Sequence, residues 1–144
     1  MSTGDREKTP HLELFELLGA LARRRYQAAE RAFAPLGLNH TEGRLLSMLE
    51  GEGGAATQDS LSRRLTVDRS NAGRAFKRLE AAGYVERRRD DADARAYLVG
   101  ITPKGREAAA EVDRLRGEIA RTFFEELSEA DAARAIALLT AAAR

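Results

Sequence analysis

The chain has 144 residues and a formal net charge of +1, long enough for one core-forming domain and too balanced in total to name a partner. It has no cysteine, which excludes disulfides, thiolate metal sites and thiol redox switching; its two histidines, His11 and His40, have no His-x-x-x-His or His/Cys spacing that would offer zinc a ligand set. No apolar run reaches membrane-spanning length, and the polar N-terminus lacks the apolar centre of a secretory signal, so a cytoplasmic location is expected.

Residues 1–9 are polar and are expected to be disordered. Apolar residues at Leu14, Leu18, Leu21, Ala28 and Ala32 predict an amphipathic helix over 11–33, stopped by Pro35-Leu36-Gly37. Asn39 then reads as an N-cap, with Glu42 three residues on completing a capping box, and Leu45, Leu46 and Leu49 give the second helix its face. Gly51, Gly53 and Gly54 end it. Thr57 predicts the cap of a short helix reaching Leu65; Thr66-Val67 reads as a turn, and Asp68 as the cap of a helix reaching Ala82, with Gly83 as its stop. YVERRR and YLVGI read as two strands of a hairpin around the polar tip DDADARA. Thr102-Pro103 is a cap followed by a proline at the first helical position. It opens a long helix over 103–127, striped by Val112, Leu115, Ile119 and Phe123, and Ser128 and Asp131 open a last one. The predicted class is mainly α: three helices plus a β-hairpin wing over about 38–102, flanked by helices over about 11–34 and 103–144, all within one domain of 1–144.

Charge is not spread evenly along this plan. Residues 60–89 hold nine Lys/Arg against three acids, a net of +6, so the rest of the chain sums to −5. The densest part is DRSNAGRAFKRLE. On a helix its Ala72, Phe76 and Leu79 share one face, while Ser70, Arg74, Lys77 and Ala81 lie opposite, flanked by Asn71 and Arg78. A helix anchored by one face and polar and cationic on the other suits the major groove, where Arg pairs with guanine and Asn with adenine. Arg69, Ser70, Asn71, Arg74, Lys77 and Arg78 are therefore candidate DNA-contacting residues. Together with the short helix before it, the segment makes a helix-turn-helix, and the hairpin behind it makes a winged helix.

LSRRLTVDRSNAGRAFKRLEAAGYVERRRDDADARAYLVGITPKG resembles the DNA-binding lobe of MarR-family transcription regulators, through its recognition-helix pattern, RLEAAGYVERR, Asp93-x-Arg95 and Ile101-Thr102-x-x-Gly105. With the flanking helix order, the resemblance spans about 11–144. It implies an obligate homodimer built from the first helix and the last two. It also implies a pseudo-palindromic double-stranded operator, usually repressed, and release by a small-molecule effector. It further implies that Arg95 enters the minor groove, beside which a salt bridge to Asp91 or Asp93 is the local alternative, and that Arg87 to Arg89, Arg88 first among them, track the phosphates, with a solvated strand edge as the plainer reading. Ala94, where the family often has a basic residue, and Gly100 within the second wing strand depart from the pattern.

Other signals are weaker. GEGGAAT lacks the Lys-Ser/Thr of a phosphate-binding loop and reads as a helix stop and connector. DDADAR puts Arg95 where a calcium loop needs oxygen, so no metal and no cofactor are expected. No nucleophile–base–orienter set is visible, so no enzyme is expected. Tyr26 and His40 lie where the family often has its ligand crevice, with helix packing as the plainer reading, and no ligand-binding residue is assigned. The alternative function is a winged helix used only for protein contacts, but the cationic outer face of 70–81 lacks the aromatic anchors such a surface needs.

Overall fold

The computed structural model describes residues 8–65, 69–93 and 95–144, with the backbone alone at Arg69 and Ser70. The expected tail over 1–7, the Thr66-Val67 turn, the Asp68 cap and the Ala94 departure lie outside the described residues.

Helix α1 (Pro10–Phe33) starts one residue earlier than its periodicity suggests. Thr9 is its N-cap, taking the Leu12 amide at 3.2 Å, and Pro10 occupies the first turn, so residues 8 and 9 are not part of a disordered tail. A 3-10 turn (Ala34–Leu36) follows and closes on Gly37, whose φ of 72° suits a residue without Cβ. Helix α2 (His40–Gly51) opens with the capping box: the Glu42 amide donates to Asn39 Oδ1 at 2.8 Å, and the Asn39 amide donates to Glu42 Oε1 at 3.0 Å. Gly53 and Gly54, with φ of 88° and 94°, turn the chain back.

The glycine connector is not wholly irregular. Ala55–Thr57 forms strand β1, which precedes α3 (Gln58–Leu65) and α4 (Arg69–Ala81). The wing strands β2 (Val85–Arg89) and β3 (Tyr97–Ile101) pair antiparallel, and β1 pairs with the other edge of β3, so the expected hairpin is a three-stranded sheet ordered β1-β3-β2. Gly100 is paired on both sides, with Ala55 and Glu86, so it does not interrupt the ladder. Thr102 caps α5 (Pro103–Phe123), which stops four residues short of the expected Leu127; a turn leads into α6 (Glu129–Ala142), capped by Ser128.

The core lies under the lobe. Leu45, Leu46 and Leu49 of α2 meet Leu61 of α3, Phe76 and Leu79 of α4, Val85 and Val99 of the sheet, Phe33 of α1 and Val112 of α5. Burying each of these side chains contributes about 1.5–3 kcal/mol. The helices are fitted closely at Gly43, where a Cβ would come within 2.6 Å of the Phe33 ring. Among the described residues no helix is long and apolar enough to cross a membrane.

Candidate nucleic-acid interface

Helix α4 has the two faces its sequence predicts. Ala72, Ala75, Phe76 and Leu79 are buried, while Asn71, Arg74, Lys77 and Arg78 are exposed. The apolar face fixes the helix on the core, and whatever approaches from solvent meets the cationic face. Arg74 Nη2 donates to Asn71 Oδ1, which ties the two candidate base-reading side chains together. The side chains of Arg69 and Ser70 lie outside the described residues.

Arg78 is less free than its position on the wheel suggests. Its Nε donates to Glu42 Oε2 at 3.2 Å, across to α2, while about half of its side chain stays exposed. On α3, Arg63 is exposed, whereas Arg64 is paired with Glu52.

The wing arginines separate by strand alternation. Arg87 points inward: it lies 5.0 Å from the Tyr97 ring centroid, pairs with Glu80 at 3.5 Å and donates to Gln58 Oε1 at 3.3 Å. Arg88 points outward and is exposed, and Arg89 lies 5.1 Å from the Tyr97 ring centroid. At the tip, Asp90 Oδ1 accepts the Ala92 amide and Asp93 Oδ1 accepts the Arg95 amide, each at 3.0 Å. These two carboxylates are turn formers that stiffen the wing. Arg95 is exposed beside them, and among the described residues its guanidinium forms no ion pair with Asp91 or Asp93.

A second cationic cluster lies between α1, α2 and α5. The His40 and Tyr26 rings are 5.1 Å apart. Burial, then the charges of Arg44 and Arg25, hold the His40 pKa below its usual 6.5 against the opposing pull of Glu30, and Arg116 adds to the depression. Burial, Arg25 and Arg116 lower the Arg44 pKa as well. Arg116 is steadied by Ser47 Oγ at 3.1 Å and Asp113 at 3.5 Å. Sequence reasoning found Tyr26 and His40 here but missed the three arginines. The His40–Arg44 spacing of one helical turn was the available signal.

The exposed cationic face of α4, the stiffened basic wing and the apolar inner face make a winged-helix lobe. Residues 36–96, less than half of the chain, match the sequence model of the MarR family. The Bacillus subtilis (strain 168) HTH-type transcriptional regulator YwhA is 27% identical over 99 residues, which cover 69% of this chain and 70% of that protein. A cysteine-to-serine variant of E. coli MarR complexed with operator DNA superposes with a TM-score of 0.80 at 22% identity, over 91% of this chain and 94% of that one. Bordetella bronchiseptica BpsR, whose DNA binding is regulated by 6-hydroxynicotinic acid, superposes with a TM-score of 0.81 at 22% identity, over 92% and 99%.

Proposed function

We propose that the chain is a cytoplasmic homodimeric repressor that binds a pseudo-palindromic operator and releases it when a small anionic effector binds. The 38–102 lobe reads DNA, and 11–34 with 103–144 form the dimer. The observation that carries the DNA reading is α4 itself, with Asn71, Arg74, Lys77 and Arg78 exposed above a face that is wholly buried. Asn71 and Arg74 read bases. Lys77 and Arg88 contact phosphate, Arg95 enters the minor groove, and Arg69 and Ser70 meet the backbone at the helix start.

Arg74→Ala should weaken operator binding by about 1–3 kcal/mol and relax preference at one base position per half-site. Lys77→Ala should weaken operator and random duplex alike and flatten the salt dependence. Binding titrations on selected and scrambled duplexes check both. Equal losses on the two duplexes for Arg74→Ala would refute its base-reading role.

BpsR's regulation by an aromatic acid supports an effector site at the Arg25, Arg44, Arg116 and His40 cluster, where several cations gather around one half-buried ring. The folded His40 pKa lies below 6.5, so the unfolded chain binds more protons between those two values. Stability is therefore complete above about pH 6.5 and falls as pH drops through that window. A bound carboxylate reverses the local field and raises the His40 pKa, so binding takes up a proton. Calorimetry with benzoate and 6-hydroxynicotinic acid should show affinity rising as pH falls from 7.5 to about 6. His40→Gln should abolish that slope, and a slope that survives the substitution would move the site elsewhere.

A further inference from the structure

The N-terminus of α2 holds a carboxylate in an unusual place. Glu42 is only 5% exposed, and it is the one buried acid among the described residues. A capping box alone does not require this, because its acid ordinarily sits at the surface of the first turn. Each carboxylate oxygen has its own donor. Oε1 takes the Asn39 amide at 3.0 Å, and Oε2 takes Arg78 Nε at 3.2 Å. A buried carboxylate without a counter-charge is strongly destabilising, so the site as built requires Arg78. Arg78 has the opposite character. It follows Asn71 and Arg74 on the same stripe of α4, one turn beyond Arg74, and about half of its side chain remains in solvent. The atom committed to Glu42 is Nε, on the inner edge of the guanidinium. A planar fork held at that edge keeps its two terminal nitrogens for a second partner, which an ammonium group cannot do in the same geometry.

We infer that Glu42 is a positioning residue for DNA binding: it holds Arg78 by Nε so that the terminal guanidinium nitrogens meet a backbone phosphate, forming a Glu42–Arg78–phosphate bridge. The inference rests on the proposed operator reading. The bridge ties α4 to the start of α2, and that start is itself fixed to α1 through the His40 amide, which donates to Glu30 Oε1 at 2.8 Å. Arg78 reaches DNA already ordered, so less side-chain freedom is lost on binding.

Glu42→Gln tests this cleanly. The Gln carbonyl still accepts the Asn39 amide and keeps the cap, while the amide nitrogen now faces Arg78 and cannot accept from it. The duplex is a palindrome selected from random DNA by the unmutated protein, and circular dichroism verifies the fold. Glu42→Gln should bind it about tenfold more weakly, as expected for losing a charge-assisted contact. The log-log salt slope should flatten by about 2 per dimer, one phosphate per protomer. Arg78→Lys, which keeps the charge but not the fork, should show the same tenfold loss, so a poorly folded Glu42→Gln does not remove the test. In an Arg78→Ala background, Glu42→Gln should change operator binding no further. Unchanged binding by folded Glu42→Gln would overturn the inference. So would tighter binding with a steeper slope, which would mean that Glu42 withholds Arg78 from DNA. If the unmutated protein selects no duplex, the operator reading itself fails, and a duplex that is selected but indifferent to Glu42 sinks only the bridge.

Discussion

Replacing Ile136 and Leu138 together with glutamate is expected to lower operator affinity by about 10²–10⁴-fold while the DNA-reading lobe stays folded. The two side chains are 66% and 68% exposed, and no residue of α6 is buried. They are not isolated. Among the described residues, every large apolar side chain left exposed lies on α1 or between 124 and 139, and Phe15 of α1 is 75% exposed. The lobe has none. An apolar surface of this extent on the two ends of a chain is an aggregation liability unless another surface covers it. A second copy is the economical cover, because a twofold axis buries the same patch on both protomers. The dimer also accounts for the size of the effect. Two recognition helices meeting half-sites about 34 Å apart bind as a linked pair, and separating them loses that linkage. With about three phosphates neutralised per protomer, the intact dimer should show a log-log salt slope near −5, and the variant about half of that. Light scattering and salt-titrated binding curves on both proteins measure this. An unmutated protein that is monomeric at micromolar concentration and holds a single half-site tightly would refute the dimer.

The parts of the fold legible in sequence are those fixed by chemistry within one turn. Asn39, Thr102 and Ser128 are caps that each accept an amide three residues on, from Glu42, Gly105 and Asp131, and all three form as read. Strand β1 was not legible. Ala-Ala-Thr after two glycines has no alternation, and it becomes a strand only because the edge of β3 is there to receive it. The same division runs through the interface. The exposed stripe of α4 follows from periodicity, but net charge counts arginines without their partners. Arg64 is paired with Glu52, Arg87 with Glu80 and Arg78 with Glu42, and each acid sits on a different element from its arginine. The basic surface available to DNA is therefore smaller than the run of nine cations suggests. Arg63, Asn71, Arg74, Lys77, Arg78, Arg88, Arg89 and Arg95 are its exposed described members, and Arg78 keeps about half of its side chain in solvent despite the Glu42 contact.

Gly105→Ala is expected to destabilise the protein by about 4 kcal/mol or more, the range reserved for a steric clash with backbone rather than with a side chain that can move. Gly105 lies in the first turn of α5, where that helix meets the end of α4. The meeting is tightly bonded. Thr102 Oγ1 accepts the Gly105 amide at 3.0 Å and donates to the Gly83 carbonyl at 2.6 Å. The Thr102 amide donates to the Tyr84 carbonyl at 3.1 Å, and Lys104 Nζ reaches the Ala82 carbonyl at 2.6 Å. The carbonyls left open at the C-terminus of α4 are thus satisfied by the first residues of α5, and Gly83 turns between them with a φ of 82°. A Cβ on Gly105 would overlap the Tyr84 carbonyl oxygen and lie 2.7 Å from Ile101 Cγ1. Neither the carbonyl nor the strand residue can yield without breaking the Thr102 bonds. The added methyl therefore pries the recognition helix from the helix that carries the proposed dimer contacts, and DNA affinity should fall with stability. Gly117→Ala is the control. It lies in the same helix with nothing within 4 Å of an added Cβ, and should gain about 0.5–1 kcal/mol from helix propensity. Thermal and urea unfolding of the two variants decide the matter: a Gly105→Ala protein as stable as Gly117→Ala would show that this junction accommodates a side chain and does not fix the angle between α4 and α5.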